Sequence, residues 1–371
     1  MFNNIGKSNW VELANVNLKS NSERIDFARL ALILLIVILH FRISPEATPS
    51  TSPYIFTIHD TLKNSLLLTA VPLLSIMSGY IFFARQAYLQ KLKTLKNKTR
   101  TILIPFLIFN LSLVIVVFIA QKNGFAMENR IILVNGDLNT WLNAMFALNG
   151  QPVNYPLHFL RDLLVVFIFA IFLGKGFARF PWVAIALCII VASLNLDGRL
   201  ILRDDVFLCF AVGGFLAVIG ADIGWFEKRT LILPLLILLA VCGLFLAYPQ
   251  YDLIWRVAGG LSMWPIIGSL MDNSFSKKLS RFSRFAFAIY LMHAAVIIIF
   301  FQLGIEAKAT ISGLLLWVFG PIIIAAIIIG VVSIGEKIIP SLTKIALGGR
   351  IVGKTTPIKQ YALQEEKGPK S

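Results

Sequence analysis

IDFARLALILLIVILHFR, from Ile25 to Arg42, is the stretch that decides the class of this molecule. Between Asp26 and Arg42 almost every residue is Leu, Ile, Val, Ala or Phe, a run that crosses hydrocarbon as a helix. Asp26, Arg29 and His40 interrupt it. A charged side chain at the centre of a spanning helix costs about 2.5–3.5 kcal/mol on insertion scales, less where it snorkels near an end. Such groups call for a partner or a task. Eleven steps of about 100° lead from Arg29 to His40 through three turns and roughly 20° more, so both lie on one face, about 16 Å apart. Asp26, three positions before Arg29, can pair with it.

The rest of the chain repeats the pattern. With 371 residues, 57% hydrophobic, 14% charged, and a mean hydropathy of +0.80, it lies far from soluble globular composition. Apolar runs at Phe27–Phe41, Leu62–Phe83, Thr101–Ala120, Pro156–Gly174, Pro181–Leu194, Asp205–Ala221, Leu231–Tyr248, Leu253–Met271, Phe285–Leu303 and Ser312–Ile334 predict an all-α, polytopic membrane helix bundle of about ten transmembrane helices. The formal charge of +15 does not imply nucleic acid, because Lys and Arg fall between apolar runs rather than on one surface. Assigning loops alternately to the two sides puts about 24 of the 34 Lys and Arg on the side of the N-terminus, so both termini are expected in the cytoplasm. Residues 1–24 then form a cytoplasmic segment ahead of a retained signal anchor, residues 25–335 the membrane domain, and residues 336–371 a basic tail expected to be flexible, with anionic lipid as its partner. Cys188, Cys209 and Cys242 all lie inside apolar runs and read as small hydrophobes.

Further polar groups sit in or beside the spans. In SIMSGYIFFAR, Ser78 and Gly79 allow a second helix to come close, and Arg85 opens a basic run ending at Arg100. YPLHFLRDLL carries His158, Arg161 and Asp162, either a helix-anchoring pair or part of a site. FAVGG, with Gly213 and Gly214, reads as close packing, and Trp255 with Arg256 as an interfacial belt residue and a snorkelling cation. Tyr290 and His293 share a helix face, where the plainest role for a buried imidazole is an interhelical hydrogen bond. His59 and Asp60 read as solvated, and TWLNAMFALNG, in the long segment 121–155, as an amphipathic patch that lies in the interface or caps a cavity, or equally as a plain loop. Walker loop, dinucleotide fingerprint, zinc-ligand spacing and nucleophile elbow are all missing, so no metal and no tightly bound cofactor is expected, and chemistry must use the intramembrane polar groups.

Taken in order, these landmarks resemble the acyltransferase-3 family of bacterial integral-membrane sugar O-acyltransferases. The resemblance rests on Arg29, ten residues and His40, with Asp26 ahead, then Ser78–Tyr80, Arg100–Pro105, Phe159–Asp162, Phe210–Gly214 and Ser283–His293, and covers roughly residues 22–335. His158 departs from it, standing where relatives commonly carry Trp, and could alter the acceptor pocket. Some relatives carry a fused SGNH domain, for which this tail is short, so the stand-alone form is implied. The resemblance implies O-acyl transfer, most commonly of acetyl from acetyl-CoA, to a hydroxyl of a cell-surface glycan or its lipid-linked precursor, in the bacterial cytoplasmic (inner) membrane. On this reading His40 is the general base, with Arg29 and Asp26 supporting it. The anionic acyl-CoA meets Arg29, Ser78, Gly79, Arg85 and Arg100, and His158, Arg161, Asp162, Tyr290 and His293 face the acceptor. Direct transfer and an acyl-histidine intermediate both stay open. The competing reading is a multi-pass transporter or lipid-linked sugar flippase, although no inverted repeat is visible.

Overall fold

The computed structural model describes residues 22–41, 43–44, 52–125, 131–196, 198–221, 232–270, 274–305, 307–308 and 310–350. Arg42, residues 1–21 of the N-terminal segment and residues 351–371 of the tail lie outside the described residues.

The described chain runs through α1 (Ser22–His40), α2 (Pro53–Lys63), α3 (Ala70–Ala84), α4 (Lys91–Lys98) and α5 (Ile104–Lys122). It continues with α6 (Leu138–Phe146), α7 (His158–Arg179), α8 (Pro181–Ser193), α9 (Asp204–Val218) and α10 (Ile232–Ala247). The last five are α11 (Asp252–Leu270), α12 (Ser274–Ser280), α13 (Ala286–Gln302), α14 (Ile311–Ile338) and α15 (Pro340–Ala346). Each expected apolar run overlaps one of these helices, although Leu62–Phe83 takes in the end of α2 and a 3-10 helix, Leu66–Thr69, before α3 begins. Among the described residues, six helical stretches are long and apolar enough to cross a membrane, and α8 and α10 are shorter apolar helices. Large apolar side chains cover the outside, among them Phe172 and Leu173 on α7 and Ile322 and Ile323 on α14. This is a polytopic membrane helix bundle, with lipid in the place that water holds around a soluble protein.

At the centre lies α3, apolar all round and buried on almost every side. It packs against α1, α9 and α11. The contact with α9 is set by missing side chains: a Cβ on Gly79 would stand 1.9 Å from the Phe210 carbonyl oxygen, and one on Gly213 would stand 1.9 Å from that of Ile76. The Ser78–Gly79 notch therefore receives the FAVGG segment, as close approach of small residues in lipid requires.

A short strand pairing positions the C-terminal end of α1. Its C-terminus leads into Ile43–Ser44, which pairs in parallel with Ala307–Lys308 after α13. At the other end of the bundle, α4 and α5 are joined by a π-helical turn, Thr99–Leu103. Within residues 340–350, which the sequence assigns to the tail, Pro340–Ala346 is helical with proline at its first position, and the segment is packed there: α15 lies against α5, and Leu347 is buried.

Candidate active site

His40 closes α1, with its Nδ1–H donating to the Ile36 carbonyl at 2.8 Å. A neutral ring with that tautomer keeps its lone pair on Nε2. Tyr155 meets the imidazole edge-on, with ring centroids 4.9 Å apart, and His293 lies 5.3 Å away. His293 is wholly buried on α13 and donates from Nδ1 to the Tyr290 carbonyl at 2.8 Å. Its Nε2 has no hydrogen-bond partner among the described residues. Tyr290 is buried too, and its hydroxyl donates to the Pro156 carbonyl. Thus α1, α13 and the segment 154–157 converge on one imidazole.

That segment is itself held from behind. Asn110, fully buried on α5, donates to the carbonyls of Ala144 and Met145 and accepts from the Asn154 N–H at 3.0 Å. Asn154 in turn donates to the Leu291 carbonyl at 3.2 Å. The TWLNAMFALNG patch becomes α6, started by Asp137, whose side chain accepts from the Thr140 N–H at 2.8 Å. The hydrogen bonds from Thr140 hold the Asp137 carboxyl below its ordinary range.

Beside this convergence lies a charge network. His158 donates from Nδ1 to the Tyr155 carbonyl, and its Nε2 accepts from Arg203 at 3.3 Å. Arg203 is paired with Asp205, which also lies 3.6 Å from Arg256. Arg256 reaches Asp252 at 3.0 Å, so it is locked between carboxylates and does not simply snorkel. Arg161 bridges Asp162 at 2.8 Å and the Leu200 carbonyl, while Asp162 accepts from the Leu202 N–H at 3.2 Å. His59, expected in solvent, is instead buried against the edge of Trp317, with Nε2 facing the Ile43 N–H at 3.5 Å.

Arg29, about 16 Å along α1 from His40, pairs with Asp26 at 3.1 Å, and both are half-exposed. Around Lys98 stand Arg29, Arg85 and Arg350, each near enough to act on its charge. The Arg100 guanidinium covers Gly349, whose Cβ would lie 2.8 Å from Nε. Ser78 and Gly79 belong to the α3–α9 contact, where the Ser78 hydroxyl donates to the Leu74 carbonyl at 2.8 Å.

The sequence reading assigned Arg29, Arg85 and Arg100 to the basic end and set His40, Tyr290 and His293 away from it; in the structure Arg29 and Arg85 stand around Lys98, and His293 lies between His40 and Tyr290. It missed Tyr155, Asn110, Asn154, Arg203, Asp205, Lys98 and Arg350 as members of these clusters. Arg203 and Asp205 border an apolar run and were visible as charges, yet nothing in their spacing ties them to His158. Lys98 lay inside a basic run that topology alone explains.

Comparison with known proteins bears on this geometry. The chain is 30% identical over 363 residues to the succinoglycan biosynthesis protein ExoH of Rhizobium meliloti (strain 1021), covering 94% of this chain and 96% of that relative. No solved structure matches it. The Acyl_transf_3 family, described as an acyltransferase domain, matches residues 22–336, and with Arg29 and His40 on one helix of the bundle, the chain belongs to that family of membrane acyltransferases.

Proposed function

We propose that this protein transfers an acyl group, acetyl from acetyl-CoA in the simplest case, to a hydroxyl of a cell-surface glycan or its lipid-linked precursor. The bacterial inner membrane is its site, with the basic end in the cytoplasm. A glycan acceptor accords with the name of the relative, a succinoglycan biosynthesis protein.

The observation that carries the reading is the setting of His40: Nδ1 is engaged by Ile36, and the ring is flanked by Tyr155 and His293. An imidazole in that tautomer accepts a proton at Nε2. The acceptor O–H gives up its proton there as the oxygen bonds to the thioester carbonyl carbon. The C–S bond then breaks, the sulfur takes the proton back from the imidazolium, and CoA–SH leaves. Arg29, Arg85 and Arg100 hold the phosphates of acyl-CoA at the basic end. An extended pantetheine arm covers the roughly 16 Å to His40. Arg161, Asp162, His158, Tyr290 and His293 shape the acceptor side.

The test is transfer of labelled acetyl from acetyl-CoA into envelope glycans by membranes holding the wild type or His40→Ala at matched levels. Loss of at least about a hundredfold is expected, the low end of general-base contributions. Undiminished labelling by His40→Ala would remove the base assignment.

A further inference from the structure

Two cations at the basic end are placed against aromatic faces. Lys98 Nζ sits 3.3 Å from the centre of the Phe167 ring, and the Arg350 guanidinium lies 3.5 Å from that of Phe287. Among the described residues neither Lys98 nor Arg350 forms an ion pair, nor does Arg100. The charges acting on Lys98 are Arg350, Arg29 and Arg85, all positive. Arg350 is exposed to solvent while the chain end and Phe287 pack beside it. Desolvation by that packing and the Arg29 charge lower its pKa to about 9.

The chain takes trouble to bring Arg350 there. After α15 the backbone turns through Gly348 (φ 69°) and Gly349 (φ 81°), left-handed conformations that glycine tolerates best. A Cβ on Gly348 would lie 2.8 Å from the Thr101 Cα, and one on Gly349 would meet the Arg100 guanidinium. Both glycines thus press the chain end onto the π-helical turn, and Leu347 is buried behind them. Like charges held together repel, and aromatic faces offset only about 0.5–2 kcal/mol each. Such a cluster is stable when an anion of several charges completes it.

We infer that Lys98 and Arg350 bind phosphates of the donor's nucleotide end, so that residues 340–350 close the acyl-CoA site from the basic side. The inference rests on the donor reading above and adds residues that lie beyond the last span. Acyl-CoA suits the cluster because its diphosphate and 3′-phosphate present several separated anionic oxygens to cations supplied by α1, α4, the π turn and the chain end. An anionic lipid headgroup shares that chemistry and is the occupant to be distinguished.

The experiment measures binding of CoA, 3′-dephospho-CoA and pantetheine to the full chain in phosphatidylcholine nanodiscs, for the wild type, Lys98→Gln, Arg350→Gln and Arg350→Lys. Each Gln variant is expected to bind CoA about tenfold more weakly, as loss of one charge-assisted contact implies. Pantetheine binding stays unchanged, and Arg350→Lys recovers part of the loss. Unchanged melting temperatures guard against misfolding, and the two Gln variants act on different elements. Wild-type affinity for CoA in both Gln variants overturns the inference and leaves the donor reading standing. A wild type that binds no CoA overturns the donor reading together with the inference. In nanodiscs with added phosphatidylglycerol, loss of lipid binding in the variants with full retention of CoA affinity overturns it in favour of a lipid site.

Discussion

Asn110 does more for the site than any residue that touches it from outside. One buried amide on α5 satisfies two carbonyls of the α6 end and the N–H of Asn154, fixing the segment that carries Tyr155 and Pro156 beside His40. Asn110→Leu takes that partner from the Met145 carbonyl and the Asn154 N–H, at about 1–3 kcal/mol each, while the Ala144 carbonyl keeps the Val153 N–H. The expected result is a lower melting temperature, with faster amide exchange over residues 144–157, read by hydrogen exchange of the detergent-purified protein. His293 makes the complementary case. With Nδ1 bound to its own helix and Nε2 lacking a partner among the described residues, it lies 5.3 Å from His40 without serving the interhelical hydrogen bond its sequence position suggests. His293→Phe preserves the ring volume and removes that nitrogen. Acyl transfer is expected to fall while the melting temperature holds, measured by labelled acetyl incorporation beside thermal unfolding.

At the scale of elements, the crossing of α3 and α9 sets the frame. Reciprocal contacts of Gly79 with Phe210 and of Gly213 with Ile76 bring two backbones together with no side chain between them. Gly213→Ala forces a methyl carbon to within 1.9 Å of the Ile76 oxygen, so the helices must separate. Overpacking costs about 1–3 kcal/mol where neighbours can shift, and two backbones shift least easily. The expected outcome is loss of the monodisperse species in size-exclusion chromatography. Ala at Gly176 or Gly243, where a Cβ meets nothing within 4 Å, leaves the profile unchanged. The cap of α6 adds a dependence on pH. Since Asp137 titrates below its ordinary range, its contribution is present above the unfolded carboxylate pKa and fades as pH falls through the folded one. The protection factor of the Thr140 amide, its slowing relative to the intrinsic exchange rate at each pH, is expected to fall in acid, and Asp137→Ala to abolish that pH dependence.

Across the whole molecule, charge is gathered at two ends joined by α1. One end holds Arg29, Arg85, Lys98, Arg100 and Arg350; the other holds the alternating chain of His158, Arg203, Asp205 and Arg256. The second set ties α7, α9 and α11 and, with Asp252, matches its two guanidinium groups with two carboxylates; in the first, Asp26 pairs with Arg29, while Lys98, Arg100 and Arg350 form no ion pair among the described residues. Asp205→Asn removes the carboxylate that serves both Arg203 and Arg256 and leaves two enclosed cations. Breaking such an arrangement costs about 3–5 kcal/mol. A drop in melting temperature larger than that from Asp252→Asn, whose carboxylate is half-exposed, is the expected comparison.

Most of the architecture could be read from the chain because lipid makes local composition decisive: a run of some twenty apolar residues has one way to satisfy its backbone, and helices form at all ten expected runs. The Arg29–His40 pairing was legible for the same reason, since spacing along one helix fixes both face and rise. Gly79 and Gly213 announced close packing by their size, but not that they answered one another. Periodicity is local and says nothing about which segments meet. Only the tertiary structure seats Tyr155 and His293 beside His40, links Arg203 to His158, buries His59 under Trp317 and folds Arg350 back onto Phe287. Those contacts join residues far apart in the chain, and they form where side-chain volumes and buried charges must be satisfied together, a condition that belongs to the packed bundle and to no single stretch of it.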